Sequence, residues 1–313
     1  MTDVLERRVS GVVDAVPGAD IPLVVDTADV RERARHSWYP TSPCGSGCHT
    51  HDCASSSSGT ALLVGVRIVR LAVVLVGVVL GGVLVMALPR IVRRRYLRAS
   101  ARAVLQAVGV RVSIDDRRPF AASTRGLVVS NHTSYLDIFA IAVITPAHFV
   151  AKSEVMEIPV VAPIARRLGI VPVDRASLMR LPDTIDQVVQ RLEADSAVAV
   201  FPEGTTWCGR ARGGFRPAFF QAAIDAGVPV IPMQVEFTVN GKPTTAPGFF
   251  GDDSPADTLR RVLRIRRLVV RVRIHESQLP GPDRRALARR CETLIGGPRT
   301  HPDVVGLTTH GLG

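Results

Sequence analysis

The chain has 313 residues, of which 46% are hydrophobic and 21% are charged. This length and composition exclude a small disulfide-stapled protein and a mostly disordered chain, because the chain is long and apolar enough to bury a core. The formal net charge is +11, and arginine supplies nearly all the basic residues, since Lys152 and Lys242 are the two lysines. A basic chain of this kind suits anionic partners, either nucleic acid or a membrane surface.

Residues 1–60 are predicted to be a polar segment followed by a linker rich in cysteine and serine. Residues 1–20 lack the apolar stretch of a secretory signal, so the main body is predicted to be reduced and cytosolic. Five residues that could bind a metal cluster in the linker: Cys44, Cys48, His49, His51 and Cys53. Their spacing differs from a Cys-x-x-Cys knuckle, so the prediction is no bound metal, with zinc and a redox or disulfide role as the alternatives.

Residues 61–90 are predicted to form a membrane-embedded helix, either spanning or re-entrant. Leu71–Leu88 contains 18 consecutive uncharged residues, which at ~1.5 Å per residue span ~27 Å. Arg67 and Arg70 are expected to snorkel at one end. Six arginines follow the apolar run: Arg90, Arg93, Arg94, Arg95, Arg98 and Arg102. By the positive-inside rule, they place everything after residue 90 in the cytoplasm, beneath the inner membrane. The alternative is a buried helix, or strands, of a soluble protein.

From Arg111 onward, short apolar runs alternate with helical stretches. The predicted strands are Gly126–Ser130, Gly169–Val173, Ala197–Phe201 and Val228–Val235, and the predicted helices are Leu181–Ala194 and Arg216–Ala226. This alternation predicts an α/β fold with a largely parallel central sheet and helices on both faces. Ligands bind outside the carboxyl ends of the strands in such sheets, so polar residues that follow a strand are candidate site residues.

The last elements close the domain. Leu268–Ile274 alternates like an edge strand, and Pro282–Ile295 is predicted to be an amphipathic helix. Residues 91–295 therefore form the main domain, and residues 296–313 are predicted to be a flexible tail.

His132 and Asp137 follow the first predicted strand, in the stretch NHTSYLD. Five residues on a regular helix place two side chains ~140° apart, so these two meet only if the backbone turns between them. In such a turn the carboxylate can hold the Nδ1 proton and leave Nε2 free as a base. Asn131 and Ser134 lie in the same stretch and could also serve as turn and N-cap residues.

The stretch FPEGTT directly follows the strand that ends at Phe201. Pro202 stops the strand, and Gly204 allows the backbone to approach a ligand closely. Glu203 and Thr205 place a carboxylate and a hydroxyl at the same edge of the sheet. Alone, this stretch could be no more than a polar turn.

Together, four stretches resemble a known family. NHTSYLD, GIVPVDR, FPEGT and VPVIPM stand in this order within residues 98–239. They resemble the four sequence blocks of the glycerolipid acyltransferases, in particular the bacterial 1-acylglycerol-3-phosphate acyltransferases. The resemblance implies transfer of a fatty acyl group from acyl-CoA or acyl-carrier protein to a lysophospholipid hydroxyl, giving phosphatidate, with no retained cofactor. Membrane lipids and the acyl donor would be the partners, and residues 91–295 the acyltransferase domain.

The resemblance also implies roles for individual residues. His132 would be the general base, oriented by Asp137. The predicted substrate-binding residues are Asn131, Ser134, Arg175, Glu203, Gly204, Thr205 and Arg216. Arg175 and the turn from Glu203 to Thr205 would hold the phosphate and polar head of the acceptor.

The third block departs from the family pattern. The family continues FPEGTRS, but Thr206 and Trp207 stand where Arg and Ser are expected. Arg210, Arg212 and Arg216 follow closely and are candidates to replace the missing phosphate contact. A phosphate-free acceptor such as a lyso-ornithine lipid is therefore the alternative substrate.

Functions of other classes have weaker support. A serine hydrolase lacks the G-x-S-x-G elbow, and a non-catalytic lipid-binding protein would not need both His132 and Asp137. A nucleic-acid partner is not expected, because neither a recognition motif, a P-loop nor a G-x-G-x-x-G stretch occurs.

Overall fold

The computed structural model describes residues 39–49, 58–85, 87–118, 125–159, 161–194, 196–251 and 253–297. The strands are β1 (Val110–Asp116), β2 (Gly126–Ser130), β3 (His148–Lys152), β4 (Val171–Val173), β5 (Ala197–Val200), β6 (Val230–Val239), β7 (Lys242–Pro243) and β8 (Leu268–Ile274). The helices are α1 (Ser58–Val85), α2 (Arg90–Ala107), α3 (Leu136–Ile144), α4 (Val161–Leu168), α5 (Leu181–Glu193), α6 (Phe220–Asp225), α7 (Pro255–Arg264) and α8 (Arg284–Ile295).

The strands form one sheet in the order β1-β8-β6-β2-β5-β3-β4, with β7 paired to β6. Strands β2, β3, β4, β5 and β6 run parallel, and β8 is antiparallel to β6 but parallel to β1. The prediction of a largely parallel central sheet is therefore confirmed. The central strands β2 and β5 are buried along their whole length because helices cover both faces.

Two hydrophobic cores lie on opposite faces of the sheet. Val128 packs on one face with residues of α2, α3 and α7. Its neighbours Leu127 and Val129 pack on the other face with residues of α5, α6 and α8. This alternation follows from the two-residue period of a strand.

The prediction that Leu268–Ile274 is an edge strand is wrong. Strand β8 lies between β6 and β1, and β1 forms the edge instead. Arg273 of β8 donates to Asp115 of β1 at 2.9 Å. The polar side chains of β8 suggested an edge exposed to solvent, but Arg273 lies beside a strand that is distant in sequence. The predicted helix Arg216–Ala226 also begins later, at Phe220. Tight turn bonds precede it, including the one from the Phe220 amide to the Pro217 carbonyl.

Helix α1 is long and apolar enough, over Thr60–Val85, to cross a membrane. It packs against α2, and the Tyr96 hydroxyl donates to the Val78 carbonyl at 2.6 Å. The expectation that Arg67 snorkels into head groups is wrong. Its guanidinium is buried and donates to the Val262, Leu263 and Ile265 carbonyls at the carboxyl end of α7. Carbonyls at the carboxyl end of a helix favour a cation, so Arg67 fastens α1 to the main domain.

The compact unit that contains the sheet begins at Pro40. Cys44 and Cys48 are buried in it and pack with Cys208, which follows β5. Part of the predicted linker is thus folded onto the main domain. His51 and Cys53, the other members of the predicted cluster, lie outside the described residues, as do residues 1–38 and 298–313 of the predicted terminal segments.

Candidate active site

The turn between β2 and α3 brings His132 and Asp137 together. His132 Nδ1 lies 3.0 Å from Asp137 Oδ2. The same oxygen accepts the backbone N–H groups of Thr133 at 2.6 Å and Ser134 at 2.8 Å. Asp137 stands in the first turn of α3, where a carboxylate is favoured by the free amides and the dipole of the helix. The tight turn therefore forms around the carboxylate that also holds the imidazole.

The imidazole of His132 is held on two sides. Its ring stacks on Phe201 with centroids 3.9 Å apart and planes inclined by 14°. Asp137 is fully buried and His132 retains 15% exposure of its side chain. An ionised carboxylate only accepts hydrogen bonds, so Nδ1 carries the proton and Nε2 keeps its lone pair. Phe201 was the last residue of a predicted strand, and its contact with the ring has no local signal in the sequence.

Glu203 joins the two turns of the site. Its Oε2 accepts the backbone N–H of His132 at 2.7 Å, and its Oε1 accepts that of Gly213 at 3.2 Å. The Trp207 amide in turn donates to the His132 carbonyl at 2.8 Å. Burial raises the pKa of Glu203 to about 8, against the opposing effect of these amides and of Arg212. Both oxygens of the buried Glu203 side chain thus bind backbone amides of the site, and its contact with the acceptor head group stays a prediction.

Asn131 and Ser134 are also buried. The Asn131 amide donates to the Val235 carbonyl at 2.9 Å and accepts from the Val235 amide at 2.8 Å. The Ser134 hydroxyl accepts the Leu136 amide at 3.3 Å. Asn131 thereby ties the end of β2 to β6, and Ser134 supports the start of α3, which are the turn and cap roles that the sequence left open. Their contact with substrate stays a prediction.

Gly204 and Arg216 lie next to each other beside Glu203. Gly204 has a φ of +76°, in the left-handed region that glycine adopts without strain. A Cβ at Gly204 would lie 3.4 Å from Arg216 Nε, and the Arg216 amide donates to the Pro202 carbonyl at 2.9 Å. Burial lowers the pKa of Arg216. Thr205 follows in the same turn and is half-buried.

The remaining predicted phosphate contacts are placed less closely. Arg175 follows β4, which is three strand spacings, or ~14 Å, from β2. Its side chain must reach across the ends of β3 and β5 to meet a group near His132. Arg212 is buried and donates to the Ile295 carbonyl at 2.7 Å, so it serves the carboxyl end of α8. Arg210 is exposed.

Comparison with known proteins identifies the family. The family model "Acyltransferase" matches residues 110–236. The 1-acyl-sn-glycerol-3-phosphate acyltransferase of Neisseria meningitidis serogroup B is 32% identical over 182 residues, covering 58% of this chain and 70% of the relative. The chain belongs to the glycerolipid acyltransferase family. The resemblance carried by the four sequence blocks is confirmed.

Other relatives of this acyltransferase have a different acceptor in their names. The lyso-ornithine lipid O-acyltransferase of Pseudomonas aeruginosa is 31% identical and covers 54% of this chain and 66% of that protein. A crystal structure of the acyltransferase PlsC from Thermotoga maritima has a TM-score of 0.55 at 20% identity, over 82% of this chain and 98% of that one. The latter likeness establishes the fold.

The family establishes the general activity of the chain. It is an acyltransferase of lipid metabolism, of the O-acyltransferase kind. Membership and the apolar helix α1 together indicate association with a membrane. His132 and Asp137 stand at the spacing His-x4-Asp, at the carboxyl edge of the sheet.

Proposed function

We propose that this acyltransferase moves a fatty acyl group from acyl-CoA or acyl-carrier protein to the free hydroxyl of 1-acylglycerol-3-phosphate, giving phosphatidate in phospholipid biosynthesis. The observation that carries the proposal is the imidazole of His132 held at 3.0 Å by the buried carboxylate of Asp137. It leaves one basic nitrogen at the edge of the sheet where α/β proteins bind ligands.

His132 acts as the general base. As the acceptor oxygen bonds to the thioester carbonyl carbon, Nε2 takes the hydroxyl proton. The tetrahedral intermediate then expels the thiolate, which takes the proton back from the imidazolium. No acyl-enzyme forms, because the acceptor is itself the nucleophile. A positioned base contributes about 10²–10⁴ in rate.

Asp137 stabilises the imidazolium that forms in this step. A charge-assisted hydrogen bond is about twice as strong as a neutral one, so Asp137 favours proton uptake by Nε2. Glu203 and Phe201 act on the reaction indirectly, by contacting the backbone amide and the ring face of His132. They are positioning residues.

Arg216 is the best-placed cation for the acceptor phosphate. Its guanidinium lies over Gly204, in the turn that binds the His132 amide. A guanidinium suits phosphate because its N–H groups can bind two oxygens at once. Arg175 and Thr205 complete the proposed head-group contacts, with Arg175 reaching from the far side.

A lyso-ornithine lipid is the second candidate acceptor. Relatives with that activity in their names are 31% and 33% identical to this chain, close to the 32% of the Neisseria protein. Thr206 and Trp207 also replace the Arg and Ser expected after FPEGT. Both acceptors present a hydroxyl to the same base, so the proposed chemistry at His132 is common to them.

We place the apolar face of α1 against the lipid of the inner membrane, with the catalytic domain on the cytoplasmic side. The exposed apolar side chains of α1 include Val69, Val73, Val76, Leu80 and Leu84. The arginines at the start of α2 lie next to this surface in the chain, and each is worth about 1 kcal/mol near anionic lipid. A lipid acceptor then reaches the site from the membrane.

A substrate panel tests the proposal. The purified protein is given lysophosphatidate, glycerol phosphate and lyso-ornithine lipid in parallel, each with acyl-CoA or acyl-carrier protein thioester. We expect turnover of lysophosphatidate and its loss in His132→Ala, while the donor still binds. Turnover of lyso-ornithine lipid alone supports the second acceptor. Thioester hydrolysis without transfer, or full activity of His132→Ala, contradicts the mechanism.

A further inference from the structure

Three buried cysteines from two distant parts of the chain meet beside the active site. The Sγ atoms of Cys44, Cys48 and Cys208 all lie within 4.8 Å of one another. All three side chains are buried, with exposed fractions of 3%, 7% and 1%. Cys44 and Cys48 come from the segment that precedes α1, and Cys208 comes from the loop after β5. Cys208 lies 164 positions from Cys44, so local chain geometry does not bring these thiols together.

The spacing fits one tetrahedral metal ion. Zn–S bonds of about 2.3 Å place two sulfurs of a tetrahedron about 3.8 Å apart. The three sulfurs need to draw in only slightly to reach that distance. The Cys208 amide donates to Cys44 Sγ at 3.3 Å, and the Ala211 amide donates to Cys208 Sγ at 3.3 Å. Such N–H···S bonds stabilise the thiolate form that binds a metal.

A fourth ligand stands next in the chain. His49 Nε2 lies 3.2 Å from Asp253 Oδ2, and the ring stacks on Phe250 with centroids 4.7 Å apart. Its Nδ1 is buried and has no hydrogen-bond partner within the described part of the chain. An imidazole with one nitrogen on a carboxylate and the other unused is the usual arrangement of a metal-binding histidine. The ring is not part of the group within 4.8 Å, so it must move toward the sulfurs to bind.

We propose that Cys44, Cys48 and Cys208 bind one Zn²⁺ as thiolates, with His49 Nδ1 as the fourth ligand. Three thiol protons pass to solvent as the metal binds, and no redox step is involved. The mixed sulfur and imidazole set in a tetrahedral arrangement selects zinc over harder cations such as Mg²⁺. All four positions are filled by protein, so the site is structural.

The site fastens the segment before α1 to the loop that supports His132. Cys208 directly follows Trp207, whose amide holds the His132 carbonyl at 2.8 Å. On the other side, the Thr245 hydroxyl donates to the Cys48 carbonyl at 2.7 Å. The metal would therefore link Cys48, whose carbonyl binds Thr245, to the loop that holds the His132 carbonyl.

Metal analysis of the purified full chain tests the proposal. We expect about one zinc per chain in wild type, and less than about one tenth of that in Cys44→Ser, Cys48→Ser and Cys208→Ser. Cys291→Ser is the matched control, because Cys291 is an equally buried thiol of α8 that packs in a different hydrophobic core; this variant should keep the metal. Reconstitution with Co²⁺ should give the thiolate charge-transfer and visible bands of a tetrahedral site.

His49→Ala separates the fourth ligand from the other three. It should weaken zinc binding by about tenfold or more and alter the visible cobalt bands, while the thiolate charge-transfer band persists. Unchanged affinity and unchanged cobalt bands in this variant would remove His49 from the site.

Three results would overturn the proposal. The first is wild-type protein that, once reduced, takes up neither Zn²⁺ nor Co²⁺; this measurement needs no variant to fold. The second is metal-free protein in which two of these thiols are blocked as a disulfide under non-reducing conditions. The third is full zinc content in folded Cys208→Ser, which would place the metal in the N-terminal segment alone.

Discussion

Replacing Asp137 by asparagine tests the central contact of the site. Oδ2 accepts three N–H groups, from the His132 ring and from the Thr133 and Ser134 backbones. The asparagine side chain places its oxygen at the former Oδ2 position, because its NH₂ group would face three N–H donors there. The variant therefore keeps the turn and loses the negative charge beside His132.

The size of the effect follows from the distance. Opposite charges 3.0 Å apart attract by about 5–6 kcal/mol at an effective dielectric constant of about 20. Desolvation of the buried pair offsets part of this, so we expect the rate to fall by about 10²–10⁴. Oδ1 is buried and has no partner in the described residues, so an amide there leaves N–H donors unsatisfied and lowers the free energy of unfolding by about 1–3 kcal/mol.

The assay is acyl transfer at saturating donor, with thermal melts of the same preparations in detergent. Asp183→Asn is the matched control, since Asp183 is an exposed aspartate in the first turn of α5; its activity and melting temperature should match wild type. A folded Asp137→Asn variant with a rate within tenfold of wild type would refute the role given to this carboxylate.

Three further predictions concern stability and membrane binding. Because burial raises the pKa of Glu203 to about 8, the folded protein retains a proton that the unfolded chain loses near its ordinary value. The free energy of unfolding should thus fall as pH rises from about 5 to about 8, by up to about 1.4 kcal/mol per pH unit. Glu203→Gln should lack this pH dependence in thermal melts. Equal pH dependence of the wild type and the variant would contradict the buried acid. Arg67→Met removes the cation from three carbonyls and should cost about 2–4 kcal/mol in the same melts, whereas an unchanged melt would mean that α1 is not fastened there. Replacing Leu80 and Leu84 by lysine should reduce sedimentation with anionic vesicles at least tenfold, while lysine at the exposed Met179 should not; equal binding of all three proteins would place the lipid contact elsewhere.

Much of the site was accessible from the sequence because its central contact is local. Asp137 follows His132 by five residues, and a strand end followed by a turn and a helix is enough to bring them together. Gly204 was also predictable, because a close turn at the end of a strand needs the backbone freedom of glycine. These features depend on short segments whose conformations their own residues favour.

The support around His132 was not accessible in this way. Glu203 lies 71 positions from the amide it accepts, and the family resemblance implied only a contact with the acceptor head group. Its burial depends on β5 lying beside β2. The three-cysteine cluster was missed for the same reason, since Cys208 lies 164 positions from Cys44 and the apparent spacing omitted it.

The apolar runs and their order in the chain determine the fold class, and the local turn of His132 and Asp137 is encoded in a few adjacent residues. Which strand forms the edge, which carbonyls Arg67 binds and which thiols meet are decided only when the sheet assembles. The residues in these contacts are distant in sequence. Strand order and the burial of both faces of the sheet decide which of them meet.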